Sequence, residues 1–444
     1  MARRSGERAY RTRAALGIAI YLALAFAPLS LMLLSPLGPA RAPLQEFAVA
    51  LGFVALGILG TQFAVAARIG RLKAPYGVDA VYYFHRRMAV VALGLAVAHP
   101  ALLIAEAPGR IGLLNVVTAP WPARYAVATV AVLAGIIATS LWRRKIRLGY
   151  ETWHAGHGLA ALVILVLAAL HATGTGIYTD DWKTSALLFY LAIWVATLGY
   201  IRIGKPLAQL RRPYRVTRVE RESPDTWTLT FSPEGHDGLR FRPGQHAWIT
   251  LGRSPFSFEA HPFSFSSSPN REGGGFDMTI KELGDFTSTI GTYGPGTIAY
   301  VDGPFGAFTT DRHPATRYAF IAGGVGITPL MSMVRDAADR GDETPISLVY
   351  GAATREDLVF SAQLDELSSR IDLATTYVLE DPPQDWEGET GIITGEVLER
   401  SLGSVDAYEY FICGPPAMID GVARSLEDLG VDKRRLHYER FEIA

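Results

Sequence analysis

Apolar residues fall in two different rhythms along the chain, and the change comes at Arg211-Arg212-Pro213. Before it, six nearly unbroken apolar runs occupy residues 14–34, 45–67, 84–104, 124–142, 153–172 and 185–203. A helix needs roughly 17–25 such residues to cross a bilayer, so each run predicts a membrane span. Proline and glycine punctuate the breaks, as in Ser35-Pro36-Leu37-Gly38-Pro39 and Ala119-Pro120-Trp121-Pro122. Ala40-Arg41-Ala42 resembles a signal-peptide cleavage site. The apolar run before it is too long for a signal peptide and further spans follow, so it reads as an anchor. Cleavage there would leave the remaining topology unchanged.

After Pro213 the runs shorten and alternate. Strands are predicted at 214–220, 225–231, 245–251, 263–267, 276–281 and 297–301, separated by Gly, Pro and Asn turns. Six short strands at this spacing suggest a small antiparallel barrel. From about residue 317 the order becomes strand, Gly-rich turn, helix. Strands are predicted at 318–322, 346–350, 374–379 and 410–413, and helices at about 328–340, 359–370, 394–401 and 415–429. That alternation predicts a parallel sheet covered by helices. The expected architecture is a six-helix transmembrane bundle over 14–203, an antiparallel β-barrel over 213–312 and an α/β parallel-sheet domain over 313–444.

Charge sharpens this division. The 444 residues are 49% hydrophobic and 19% charged, with a net charge of −1. Low charge and high hydrophobicity exclude a disordered chain and a dominant nucleic-acid surface. The near-zero total averages two unlike halves: residues 1–212 hold 22 Lys+Arg against 7 Asp+Glu, and residues 213–444 hold 20 against 36. Of the first 22 cations, 18 fall on the side of the spans that both termini share, and only Arg41, Arg110, Arg124 and Lys183 on the other. The positive-inside rule then places both termini in the cytoplasm. Arginine outnumbers lysine 36 to 6, a bias of GC-rich bacterial genomes, so the expected location is a bacterial inner membrane. The lone Cys413 excludes a disulfide framework, a thiolate zinc site and a conventional iron–sulfur cluster.

Ionisable residues within spans are costly and usually functional. His85 and His99 lie 14 residues apart on the third run, and His157 and His171 lie 14 apart on the fifth. Fourteen residues fall about 40° short of four helical turns and rise ~21 Å, so each pair shares one face at two depths. The third and fifth spans run in the same direction, which sets His85 opposite His157 and His99 opposite His171. Two stacked imidazole pairs in an apolar slot suit the axial ligands of two b-type haems. Bonding to neighbouring Ser, Thr or carbonyl groups is the plain alternative for a lone histidine, and it does not account for two pairs of identical spacing. A single metal-ion site needs the imidazoles to converge at one depth, and they do not. His154 lies about 100° round the helix from His171 and reads as a packing or interfacial residue.

In the second half, Gly323-Gly324-Val325-Gly326-Ile327-Thr328-Pro329 joins a predicted strand to its helix, where glycines and a helix N-terminus can accept a pyrophosphate. Alone, such a turn is about as often only a tight turn. Four further segments make the pattern specific: Arg242-Pro243-Gly244-Gln245, His261-Pro262-Phe263-Ser264-Phe265-Ser266-Ser267, Asp302-Gly303-Pro304-Phe305-Gly306 and Cys413-Gly414-Pro415-Pro416. In this order they resemble the flavin- and nicotinamide-binding motifs of the ferredoxin–NADP reductase superfamily. Coupled to six spans with two matched histidine pairs, the chain from about residue 14 onward resembles the ferric reductase/NADPH oxidase family in its short prokaryotic form.

That resemblance implies FAD held by His261, Pro262, Phe263 and Ser264. His261 stands where soluble reductases carry arginine, which leaves Lys281 and the 284–288 segment with Thr287 as candidates for the diphosphate. It implies NAD(P)H bound by Gly323, Gly324, Gly326, Thr328, Pro329, Gly414 and Pro415, and Cys413 beside the nicotinamide. As a residue type, Cys413 also suits a small buried core position. Arg355 matches positions that contact the adenosine ribose 2′ group and also suits a plain surface charge. Phe441 lies where family members stack an aromatic on the flavin. The implied activity is electron transfer from cytosolic NAD(P)H through FAD and two haems to an acceptor on the opposite face, either a ferric chelate or dioxygen. The alternatives are a membrane partner feeding a dedicated periplasmic redox protein, and a cytosolic reductase anchored by a purely structural bundle.

Overall fold

The computed structural model describes residues 2–34, 41–67, 78–143, 145–176, 178 and 181–440. These fall into two compact units that divide between Pro206 and Leu207, with residues 1–8 grouped with the second.

The first unit is helical. Six helices are long and apolar enough to cross a membrane, which supports a multi-pass membrane protein. They are α1 (Ala2–Leu33), α2 (Pro43–Ala66), α3 (Val78–Glu106), α4 (Trp121–Trp142), α5 (Tyr150–Gly174) and α6 (Asp181–Gly199), and a short helix α7 (Lys205–Leu210) follows α6. Each carries its apolar residues on all sides. Met32, Phe53, Leu56, Leu165, Leu187 and Trp194 pack inward. Leu16, Ile18, Phe26, Phe47, Val90, Leu159 and Phe189 face out, as a lipid-bathed surface requires. Small residues set the helix spacing: a Cβ on Gly57 would come within 1.8 Å of the Ala25 carbonyl oxygen. Pro100 sits inside α3 directly after His99 and removes the hydrogen bond that would close on the Ala96 carbonyl.

The second unit holds two sheets. The antiparallel one runs in the order β4-β3-β6-β1-β2-β5, with strands β1 (Tyr214–Ser223), β2 (Thr226–Pro233), β3 (His246–Leu251), β4 (His261–Ser264), β5 (Phe276–Lys281) and β6 (Ile298–Phe305). A bridge between Phe265 and Met278 joins the outermost strands and closes the sheet on itself. Inward residues fill the interior, among them Val216, Leu229, Phe231, Ile249, Phe265 and Met278.

The other sheet is parallel throughout, in the order β10-β9-β8-β7-β11-β12. Its strands are β7 (Tyr318–Gly323), β8 (Ile346–Ala352), β9 (Leu373–Leu379), β10 (Glu389–Thr390), β11 (Glu409–Gly414) and β12 (Leu436–Arg440). Alternate residues enter two cores, as a doubly covered sheet demands. Phe320, Leu348, Phe411 and Cys413 pack against α8 (Ile327–Arg340) and α9 (Ser361–Ser368). Ile321, Val349, Tyr410 and Ile412 pack against α10 (Gly395–Leu402) and α11 (Pro416–Asp428).

Helix α8 also fixes the barrel against this sheet. Ser332 Oγ donates to the Ser267 carbonyl at 2.7 Å, Arg335 to the Ser266 carbonyl at 2.7 Å, and Asn270 to Asp336 at 2.9 Å. The chain segment leaving β4 is therefore held by the helix that leaves β7. Gly244 lies at the same junction with φ +87°, and a Cβ there would meet the Phe308 carbonyl at 2.1 Å and Met333 at 2.3 Å. Gly244→Ala is expected to destabilise the protein by about 1–3 kcal/mol through backbone strain and overpacking. Gly235→Ala, with φ +73° but open space around it, should lose less. Denaturant unfolding of both variants, followed by tryptophan fluorescence, measures the difference.

Candidate functional site

The bundle brings the four span histidines together in two pairs. The ring centres of His85 and His157 are 6.2 Å apart, and those of His99 and His171 are also 6.2 Å apart. An imidazole nitrogen binds a metal at about 2 Å and lies ~1 Å from its own ring centre, so two imidazoles on opposite sides of one ion stand roughly 6 Å apart, centre to centre. Both pairs have the ligating separation. One pair is also oriented for it: His99 Nδ1 lies 2.8 Å from the Ala48 carbonyl, and His171 Nδ1 lies 2.9 Å from the Pro122 carbonyl. A ring that donates its Nδ1 proton to a carbonyl presents Nε2 as the free lone pair. Gly52 makes room for His99, since a Cβ there would fall 3.3 Å from Nδ1. His157 has the Ser140 hydroxyl 3.5 Å from Nδ1. His154 instead packs on Tyr150 and Trp153 and meets Arg202 at 3.4 Å.

In the parallel sheet, the strand order reverses between β7 and β11. Ligands of such sheets bind at the carboxyl ends of the strands on either side of that switch. Both nucleotide motifs emerge there and touch. A Cβ on Gly326 would lie 2.3 Å from the Cys413 carbonyl oxygen and 2.8 Å from Gly414 Cα. One on Gly323 would lie 2.9 Å from Pro415. Gly324 has φ +54°, a conformation that side chains resist. Thr328 is buried and closes the turn through its hydroxyl to the Val325 carbonyl at 3.0 Å, with Pro329 in the first turn of α8. Cys413 itself is fully buried.

On the barrel, His261, Pro262, Phe263 and Ser264 form β4. The hydroxyl oxygen of buried Ser264 has no hydrogen-bond partner among the described residues, which fits a donor awaiting a cofactor heteroatom. Phe286 stacks on His261 at 3.9 Å and lies 6.2 Å from Phe263, giving an aromatic wall along the strand. Thr287 spends its hydroxyl on the local turn, accepting from the Leu283 and Gly284 amides at 2.8 Å each. Lys281 is engaged by Asp225 at 3.1 Å and Asp357 at 3.6 Å. Arg355 follows β8, 2.9 Å from Asp385 and over the Trp386 ring. Its guanidinium, hydrogen-bonded to Asp385, holds that carboxyl below the usual carboxylate range. Phe441 lies outside the described residues.

Comparison with known proteins follows the same three segments. The family model for the ferric reductase like transmembrane component matches residues 51–168. That for an FAD-binding domain matches 214–307, and that for an oxidoreductase NAD-binding domain matches 320–424. Together the three matches are those of a ferric reductase/NADPH oxidase-like fusion. The chain is an oxidoreductase that binds FAD and a nicotinamide nucleotide. NADH-cytochrome b5 reductase 1 of Pyricularia oryzae is 31% identical over 288 residues, covering 61% of this chain and 92% of that protein. The reductase component of propane 2-monooxygenase from Rhodococcus jostii is 29% identical over 248 residues, covering 54% of this chain and 65% of that protein. Among solved structures, the FAD/NAD-binding domain of a nitric oxide dioxygenase from Vibrio cholerae is 22% identical, covering 52% of this chain and 98% of that one, with a TM-score of 0.47.

Three side chains at the site escaped the sequence reading. Phe286 is the wall residue just described. His246 and Glu439 meet at 3.1 Å, both largely buried, and each keeps one polar atom (Nε2 and Oε2) without a partner among the described residues. His246 stands opposite Ser264 in the barrel, and Glu439 beside Cys413 in the parallel sheet. His246 follows directly on Gly244-Gln245, a segment the sequence did mark. Its partner is 193 residues away, and only the fold joins them. Gly326→Ala should push the two nucleotide turns apart, raising the KM for the nicotinamide nucleotide roughly tenfold or more at the 1–3 kcal/mol scale of overpacking, while FAD content stays intact. Steady-state kinetics alongside flavin quantitation separate the two effects.

Proposed function

We propose that this chain carries electrons from cytosolic NAD(P)H, by way of FAD and two b-type haems, to a ferric chelate or dioxygen on the opposite membrane face. Its division of labour is a haem bundle over 14–203, a flavin barrel over 213–312 and a nucleotide module over 313–444, in a bacterial inner membrane with both termini cytoplasmic. The reading rests above all on the two imidazole pairs at ligating separation in a chain that also carries FAD and NAD domains. Nicotinamide releases two electrons together, and the flavin and haems supply the passage to single-electron steps.

The chain's own groups have separate tasks. His85 with His157 hold the inner haem, and His99 with His171 the outer one. The Gly323–Gly326 and Cys413–Pro415 turns seat the pyrophosphate and the nicotinamide. Ser264 offers the flavin a hydrogen-bond donor, and the His246–Glu439 pair can relay the proton that stays on the cytosolic side, because haem ligation carries electrons onward but no proton.

The rim beyond β8 favours NADH over NADPH. An open cleft of about 680 Å³ there is lined by Arg355, Asp385, Trp386, Glu387 and Glu389. Arg355 is engaged by Asp385 and Arg400 by Glu389, so a 2′-phosphate would have to compete with a carboxylate for either guanidinium. A free ribose 2′-hydroxyl meets no such opposition.

His99→Ala is expected to abolish reduction of ferric chelate and of dioxygen while flavin reduction by NADH persists, with about half of the b-type absorbance lost. Stopped-flow absorbance with separate assays for ferrous iron and superoxide checks this, and loss of flavin reduction as well would refute the ordered chain. Asp385→Ala should raise kcat/KM for NADPH relative to NADH by roughly two- to fivefold, the scale of an exposed ion pair. Paired kinetics with the two nucleotides give the ratio directly.

A further inference from the structure

At the opposite end of the parallel sheet from the nucleotide turns, two histidines and a carboxylate converge. Glu409 opens β11 and is 3% exposed. His437 lies on the edge strand β12, with Nε2 3.3 Å from Glu409 Oε1. His313 follows the short helical turn Thr310–Arg312, in the connection between barrel and parallel sheet. Its ring stacks on that of His437 with centres 3.6 Å apart, and the ligand atoms of all three residues lie within 4.8 Å of one another.

We propose that His313, Glu409 and His437 form a binding site for a divalent transition-metal ion, with Zn²⁺ the ion that fits best. Two imidazoles and one carboxylate match its preference for nitrogen and oxygen ligands at about 2.0–2.2 Å. Ligands at that distance around a tetrahedral ion stand roughly 3.4 Å apart. The His437–Glu409 pair already has that spacing, and a ligand nitrogen of His313 lies within 4.8 Å of both. Arg435 lies 3.5 Å from the other oxygen, Oε2, so it orients the carboxylate from outside and leaves Oε1 to the ion. Phe411 flanks both imidazoles and supplies an apolar shell. The fourth position stays open to water.

The site is separate from the redox centre. Glu409 and Cys413 lie on one strand about 13 Å apart by the rise of a β-strand. Its three ligands come from the inter-sheet connection, an inner strand and an edge strand, so a bound ion ties the connection to two strands already paired in the sheet. Its effect is on stability, and on the edge strand that carries Glu439.

Equilibrium dialysis of the purified 444-residue chain against Zn²⁺, after chelator treatment, tests this. The wild type should hold one equivalent more than the His313→Ala/His437→Ala double variant, and Glu409→Gln should weaken that equivalent at least tenfold. Zinc should raise the thermal unfolding midpoint of the wild type and leave that of the double variant unmoved. NADH oxidation with a soluble acceptor should remain within twofold in the double variant, which reports an intact fold even where Glu409→Gln proves unstable. Equal zinc uptake by the wild type and the double variant overturns the site, as does a folded Glu409→Gln protein that binds zinc as tightly as the wild type.

Discussion

Holding an imidazole inside a lipid-bathed helix bundle is the constraint on which the membrane unit turns. A polar ring removed from water loses several kcal/mol unless both of its nitrogens find partners. In the outer pair one nitrogen is satisfied by backbone: Ala48 for His99 and Pro122 for His171. Each carbonyl lies within a helix, α2 for Ala48 and α4 for Pro122, and has a second lone pair left for the imidazole. The ring centres of the two stand 6.2 Å apart, a separation suited to an ion held between their free nitrogens. The bundle's small residues serve this arrangement. Gly52 concedes the space that His99 occupies, and Gly57 lets α1 and α2 approach without displacing the ring.

The second unit obeys a different constraint, the close approach of two backbone turns. Gly326 and Gly414 have no Cβ, so the end of β7 and the end of β11 meet in van der Waals contact at the strand-order reversal. Any larger residue there separates the turns that a nucleotide must bridge. The barrel is tied to this point by Ser332, Arg335 and Asn270, all acting between α8 and the segment leaving β4. The end of β4 and the glycine turn after β7 are therefore positioned by the same helix, α8. Rigidity of this kind suits hydride transfer, which depends on near-contact geometry between two cofactors.

What the sequence made legible follows from how local each signal is. Span length is a count, and the 14-residue histidine spacing is helix geometry applied to one segment, so both could be read directly. Alternating strands such as Phe276–Lys281 were equally plain, because one face is buried and the other is not. The two strands missed have no such contrast. Glu389–Thr390 is two polar residues long, and Leu436–Arg440 is an edge strand with a mixed pattern. At the site, the glycine turns announced themselves, whereas Phe286, His246 and Glu439 act through partners distant in sequence. Lys281 shows the converse: a lysine in the expected place, held by Asp225 and Asp357, one from each sheet domain. Its residue type was legible and its engagement was not.

The acidic excess of residues 213–444 has a structural use that net charge conceals. Most of this half's cations are paired with carboxylates. Asp385 occupies Arg355, Glu389 occupies Arg400, Asp225 and Asp357 share Lys281, and buried Glu409 is ringed by His437 and Arg435. Each pairing withdraws a cation that could otherwise recruit a phosphate. With only 20 Lys+Arg against 36 Asp+Glu in this half, few free guanidinium groups remain to meet a 2′-phosphate. The pyrophosphate, by contrast, needs no side-chain cation where glycine turns and a helix N-terminus supply backbone amides. An acid-rich module can thus bind a dinucleotide through its backbone while its side chains disfavour the extra phosphate. In the membrane half the cations instead cluster towards the ends of the apolar runs, and the imidazoles of the outer pair are held inside the bundle by backbone carbonyls rather than by charges.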